Sequence, residues 1–224
     1  WHVSLISPAR YQIYSGMLPG WLAGHYDLAQ CRIDLQSLAS AAGIKFVLAK
    51  VIQLDAAQQV ARLSSGQQLS YQLLSLDIGS ESPIAELQPL AGRLLPIRPI
   101  DDFVLGWQRY RQQLHLSPQP QQLAVVGGGA AGVELAFALQ FALSRINPAS
   151  QVTLFAAEPG LLPGHNPKVR AAVARTLLQR GIKLQLKRVT GHSDGLLPSS
   201  DQVIPFDLVL AAPGARAASW LRNN

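Results

Sequence analysis

At 224 residues, with 48% hydrophobic and only 14% charged side chains, the chain can bury one large core or two modest ones and is too apolar to be disordered. The net charge of +6 comes from 19 basic residues without a Lys/Arg run and with only 7% aromatics, which describes a mildly basic solvated surface and no nucleic-acid partner. The sole cysteine, Cys31, excludes an internal disulfide and a C-x-x-C pair; the five histidines show no ligand spacing, so no metal site is expected. No segment approaches the roughly 18 apolar residues of a membrane span, and no signal peptide is expected.

In chain order, a first strand is expected at VSLIS from Val3. The segment YSGMLPGWLAGHY follows, in which SGMLPG reads as a Gly-Pro turn pair. A helical stretch LQSLASAA leads to GIKFVLAKVIQLD, a glycine turn, and a further strand in YQLLSLDIGS that ends at Gly79. The helix-like DDFVLGWQRYRQQL and the polar SPQPQQ connector then separate this half from the next. The second half opens with a strand over 121–126, followed by VVGGGAAGVE and the helical run AAGVELAFALQFAL. A strand QVTLF, a helix RAAVARTLLQ, the segment GIKLQLKRVTGHSD, a glycine turn and FDLVLAAPGA complete it.

The stretch VVGGGAAGVE names a ligand. Gly127, Gly129 and Gly132 stand at G-x-G-x-x-G spacing between a strand and a helix. In a dinucleotide-binding unit the first glycine makes the tight turn, the second lets the backbone approach a pyrophosphate, and the third lets helix pack on strand. The free N–H groups and positive dipole end of the helix, at Ala130 and Ala131, hold the phosphates. Glu134 is expected in the first helical turn, where a carboxylate suits the dipole, with or without a role at the cofactor.

The halves repeat one plan. GIKFVLAKVIQLD matches GIKLQLKRVTGHSD, YQLLSLDIGS matches FDLVLAAPGA, and VSLIS matches VTLFA. Each copy reads strand, loop, helix, strand, β-meander, strand, glycine. The second copy alone has the strand, glycine turn and helix that precede VTLFA. From this the chain is expected to be an internal piece of a larger protein with two dinucleotide sites, the first copy lacking its phosphate-binding unit.

On GGGAAGVE at 127–134, LSLDIGSESP at 74–83 and LVLAAPGA at 208–215, the chain resembles the two-dinucleotide-binding-domain flavoproteins, the pyridine nucleotide-disulfide oxidoreductase superfamily, and within it the type II NADH dehydrogenase-like branch. YSGMLPGWLAGHY, IDLQSLA and LLPIRPIDDF are similar to a bacterial subgroup often joined to selenide, water dikinase. The resemblance implies an α/β fold: a partial FAD-binding domain over 1–103, a Rossmann-like NAD(P)-binding domain over 104–215, and a tail, 216–224, returning to the first. It implies FAD and NAD(P)H as cofactors, hydride transfer from nicotinamide to flavin, and an unidentified electron acceptor. It allows a homodimer and a fused or neighbouring selenide, water dikinase as partners. It also implies a cytoplasmic protein, or one peripheral to the inner face of the membrane.

The cofactor-binding residues carried over are Gly127, Gly129, Ala130, Ala131, Gly132, Glu134, Glu158 and Gly214 for the nucleotide, and Ser7, Pro8, Val51 and Gly79 for the flavin cofactor. SGMLPG is expected as a loop over the flavin. No catalytic side chain is named, since orientation of the two rings is the protein's part. One departure stands out. The acid expected on the adenosine ribose falls at Ala156, with Glu158 two residues later, so NAD and NADP are not distinguished. The visible fragment is expected to be inactive alone. The alternative is a non-catalytic nucleotide-binding or regulatory domain associated with selenium metabolism; a short-chain dehydrogenase is disfavoured, as no tyrosine has a lysine four residues on.

Overall fold

The computed structural model describes residues 2–116, 119–199 and 202–223, so Ser117 and Pro118 of the expected connector lie outside the described residues. The elements run β1 (Ser4–Ser7), β2 (Tyr11–Ile13), α1 (Leu18–Leu22), β3 (Arg32–Asp34), α2 (Leu35–Ala41), β4 (Lys45–Leu48), β5 (Val51–Asp55), β6 (Val60–Leu63), β7 (Gln68–Ser70) and β8 (Leu94–Pro96). They continue with α3 (Ile100–Leu116), β9 (Gln122–Val126), α4 (Ala130–Ile146), β10 (Gln151–Phe155), α5 (Pro167–Gln179), β11 (Lys183–Gln185), β12 (Val189–His192), β13 (Gly195–Pro198) and β14 (Leu208–Ala211). The fold is α/β, and the chain divides into two compact units.

The first unit takes the residues up to Gly16, Asp27–Gly79 and the stretch from Ala217 onward. Its parallel pair β1–β4 is joined through α2, with Ser4 opposite Lys45 and Ser7 opposite Leu48. Helix α2 starts where it does because the Asp34 carboxylate accepts the Gln36 and Ser37 backbone N–H groups, both at 3.1 Å, satisfying donors that the first helical turn leaves open. The same carboxylate takes the Arg10 guanidinium at 2.6 Å. Strands β5, β6 and β7 form the expected antiparallel meander.

The strand expected within YQLLSLDIGS does not form: Gln72 to Gly79 carry no ladder. Its counterpart β14 is held between β9 and β8, whereas the described residues of the first unit offer this segment no such neighbours. Without partners for its N–H and C=O groups an extended segment gains nothing from strand geometry, and Leu73 is left 82% exposed.

The second unit, Met17–Tyr26 and Ser80–Arg216, is built on a five-stranded sheet in the order β11-β10-β9-β14-β8, parallel throughout. The apolar runs LAVV, VTLF and LVLA supply its central strands, as expected for strands covered on both faces. Beneath it Leu87, Leu90, Phe155, Val189, Leu196 and Phe206 share one core, with the Phe155 and Phe206 rings edge to face at 5.8 Å. The hairpin β12–β13 extends through a bridge from Leu196 to Ile204.

Two expectations are corrected here. The boundary placed at 103 falls after Gly79, because β8 adds a parallel edge strand to β14 and so ties 80–103 to the second sheet. The SGMLPG segment is helical: Ser15–Met17 form a 3-10 turn and the rest opens α1, with Pro19 in its first turn, where a missing N–H costs nothing. Trp21 and Leu22 of α1 are buried within the second unit, Trp21 edge-on to Phe103 at 6.4 Å.

Candidate functional site

Strand β9 ends at Val126 and the chain turns through Gly127, Gly128 and Gly129 into α4. Three of the four glycines here are required by packing. Gly127 has φ +136 and faces the Ala212 carbonyl so closely that no Cβ fits. A Cβ on Gly128 would stand 2.7 Å from the Ala156 Cβ and 2.8 Å from the Gly160 oxygen. Gly132, buried in α4, lies against the Gly127 carbonyl. Gly129 is different: nothing lies within 4 Å of the place its Cβ would take.

No side chain caps α4, and its first backbone bond runs from the Val133 N–H to the Gly129 oxygen. The N–H groups of Ala130, Ala131 and Gly132 therefore have no partner inside the helix, and together with the dipole they make an anion-binding end.

The turn opens on a cavity of about 660 Å³, within the range of small-molecule sites. It is lined by Gly127, Gly128 and Gly129, by Ala157 to Gly160 after β10, by Lys187, Arg188 and Val189 after β11, and by Ala212, Pro213 and Gly214 after β14. All of these follow the carboxyl ends of parallel strands, where open α/β sheets bind ligands. The 157–163 loop is held in place by the Leu162 N–H donating to the Gly128 oxygen at 2.7 Å. Arg170 of α5 adds two bonds, Nε to the Leu161 oxygen at 2.8 Å and an Nη to the Pro159 oxygen at 3.0 Å.

Of the residues expected at the nucleotide, the structure brings Gly127, Gly129, Glu158 and Gly214 to this cavity. Ala130 and Ala131 are exposed at the open helix end. Gly132 acts through packing. Glu134 is a correction: it lies beyond the first turn of α4, exposed and outside the cavity lining, because the helix begins at Ala130. The Ala156 position expected to carry a ribose acid is fully buried, its N–H donating to the Gln185 oxygen at 2.9 Å.

The flavin candidates lie in the first unit. The Ser7 hydroxyl at the end of β1 is engaged with the Ala9 backbone, followed by Pro8 in the same turn. Val51 opens β5 opposite Leu63, and Gly79 has φ +72 with open space around it. Among the described residues this unit has no glycine turn leading into a helix, so they do not by themselves fit the phosphates of FAD.

Sequence reasoning missed Glu86, Arg170, Lys187 and Arg188. In sequence LKRV reads as an exposed strand, and only its place immediately after a sheet strand of the dinucleotide unit could have singled it out. Arg188 reaches Glu86 at 2.6 Å. Cys31 is buried, which pushes its thiol pKa up and leaves it an inert packing residue. Among the described residues no helix is long and apolar enough to cross a membrane.

The chain is similar to several known proteins. A NADH dehydrogenase-like protein of Mycobacterium tuberculosis is 31% identical over 214 residues, 86% of this chain and 50% of that protein. Ferroptosis suppressor protein 1 of Taeniopygia guttata is 29% identical over 161 residues, 71% of this chain and 40% of that protein. In fold, NDH2 of Plasmodium falciparum, solved in complex with NADH, superposes with TM-score 0.85 at 15% identity, over 99% of this chain and 52% of that one. The chain thus spans about half the length, or less, of these relatives. The pattern of the pyridine nucleotide-disulphide oxidoreductases matches residues 3–224, nearly the whole sequence, and the protein belongs to that family.

Proposed function

We propose that the second unit binds a nicotinamide dinucleotide and that the chain is the nicotinamide-binding part of an FAD-dependent NAD(P)H oxidoreductase. The observation that carries the reading is the contrast within one turn. Gly127, Gly128 and Gly132 are closed by protein atoms, while Gly129 alone faces open space at an uncapped helix end. A pyrophosphate fits that opening, and Gly214 and Glu158 line the same cavity. The NADH bound in the Plasmodium falciparum neighbour, which has the same fold, supports it.

The nicotinamide would supply a hydride and a flavin would accept it. The part of this chain is to bind and orient the donor, which needs no acid or base from a side chain. Since the described first unit lacks a phosphate-binding turn, and the relatives are about twice as long, we infer that FAD is held only in a longer protein of which this chain is a piece. In that protein Ser7, Pro8, Val51 and Gly79 would border the FAD.

Calorimetric titration of the chain with NADH and with NADPH tests the reading directly. Saturable binding to one site supports it; absence of binding by both sinks it. Supplied with FAD and then desalted, the chain is expected to stay colourless.

A further inference from the structure

We propose that the cavity is selective for a 2′-phosphorylated dinucleotide, with Arg188 and Lys187 as the residues that take the 2′-phosphate and Glu86 as the carboxylate that holds Arg188 until it arrives. This rests on the dinucleotide reading above and deepens it.

Sheet order gives the placement. The pyrophosphate turn follows β9, and the adenosine ribose is read at the end of the next strand in the dinucleotide unit, here β10. Strand β11 lies beside β10 and parallel to it, so the residues after β11 are one strand spacing, about 4.8 Å, further out. Lys187 and Arg188 follow β11 and line the same cavity as the Gly127–Gly129 turn.

The chemistry at that end does not suit an unmodified ribose. The position that would place a carboxylate on the 2′-hydroxyl is Ala156, fully buried under the glycine turn, where a Cβ on Gly128 would meet it. In place of that acid stand two adjacent cations. Arg188 already presents a fork to an anion: Nη2 donates to Glu86 Oε1 at 2.6 Å and Nε to Oε2 at 3.3 Å.

The Glu86–Arg188 pair is open to water, its side chains 54% and 68% exposed, and such pairs contribute little. A phosphate monoester carries up to twice the charge of a carboxylate and offers three acceptor oxygens, so it outcompetes Glu86 for the guanidinium. Glu158 and Glu86 both line the cavity, two carboxylates against the three cations Lys187, Arg188 and Arg216.

The test compares NADP⁺ with NAD⁺, and 2′,5′-ADP with 5′-ADP, in calorimetric titrations of the chain and of Arg188→Gln, Lys187→Gln and Glu86→Gln. NADP⁺ is expected to bind at least about ten-fold more tightly than NAD⁺, as one charge-assisted fork would give. Arg188→Gln should remove most of that preference while NAD⁺ binding stays within about two-fold, and Lys187→Gln should remove part of it. Glu86→Gln, which releases the guanidinium, should tighten NADP⁺ and 2′,5′-ADP binding. Equal or tighter binding of NAD⁺ overturns the selectivity while leaving the dinucleotide site standing. An equal loss for both nucleotides in Arg188→Gln, with the melting transition unchanged, overturns the role of Arg188. Failure of both nucleotides to bind the parent chain removes the dinucleotide reading and this one with it.

Discussion

The carbonyl of Gly127 and the α-carbon of Gly132 are in direct contact, with no room for a methyl group between them. This contact sets how closely α4 approaches β9, and so where its open N–H groups point.

Gly132→Ala should therefore destabilise the protein. A methyl in a helix interior normally gains up to about 1 kcal/mol over glycine. Here it is driven into backbone that cannot move aside, and overpacking costs about 1–3 kcal/mol. The clash is expected to win, read as a lower urea midpoint and weaker dinucleotide binding together.

Gly129→Val separates the two effects. Its backbone is extended at φ −75 and its side-chain position is empty, so stability should change by less than about 1 kcal/mol, the cost of a poorer helix cap. Affinity for NADH or NADPH should fall by more than about ten-fold, as the branched side chain keeps a pyrophosphate from the helix N–H groups. An unchanged titration would remove the site from this turn.

Arg170→Ala should loosen the loop over 157–163. Two carbonyls lose a charged donor, worth about 1–2 kcal/mol for a partly exposed group. Faster amide exchange at Leu162, whose N–H bonds the Gly128 oxygen, together with a several-fold weaker NADPH affinity, is the expected result.

Acid should loosen the first unit by way of Asp34. Its hydrogen bond with the Arg10 guanidinium, followed by the Ser37 backbone N–H, holds the carboxyl well below the usual carboxylate range. A depressed carboxyl pKa stabilises the fold fully above its unfolded value, about 3.9, and that contribution is lost as pH falls further. Asp34→Asn should flatten the acid limb of a stability-against-pH curve below about pH 4, with the helix signal of α2 fading in the parent protein over that window.

Much was readable from sequence. The glycine spacing and the apolar runs of β9, β10 and β14 depend on local chemistry, so the turn at 127–132 and the α/β class could be read in order. The likeness of GIKFVLAK to GIKLQLKR could be read because hydrophobic period and glycine turns recur where side-chain identities do not.

Pairing was decided elsewhere. YQLLSLDIGS and FDLVLAAPGA look equally like strands, yet only the second forms a ladder, since a strand exists through neighbours that its own residues cannot specify. The helix at Leu18–Leu22 and the edge strand Leu94–Pro96 join the second unit for the same reason: each buries its apolar side where distant chain offers a surface. Glu86 and Arg188, 102 residues apart, meet at one cavity only because the segment that carries Glu86 packs on the hairpin after β11, with the Leu87 backbone against Gly191.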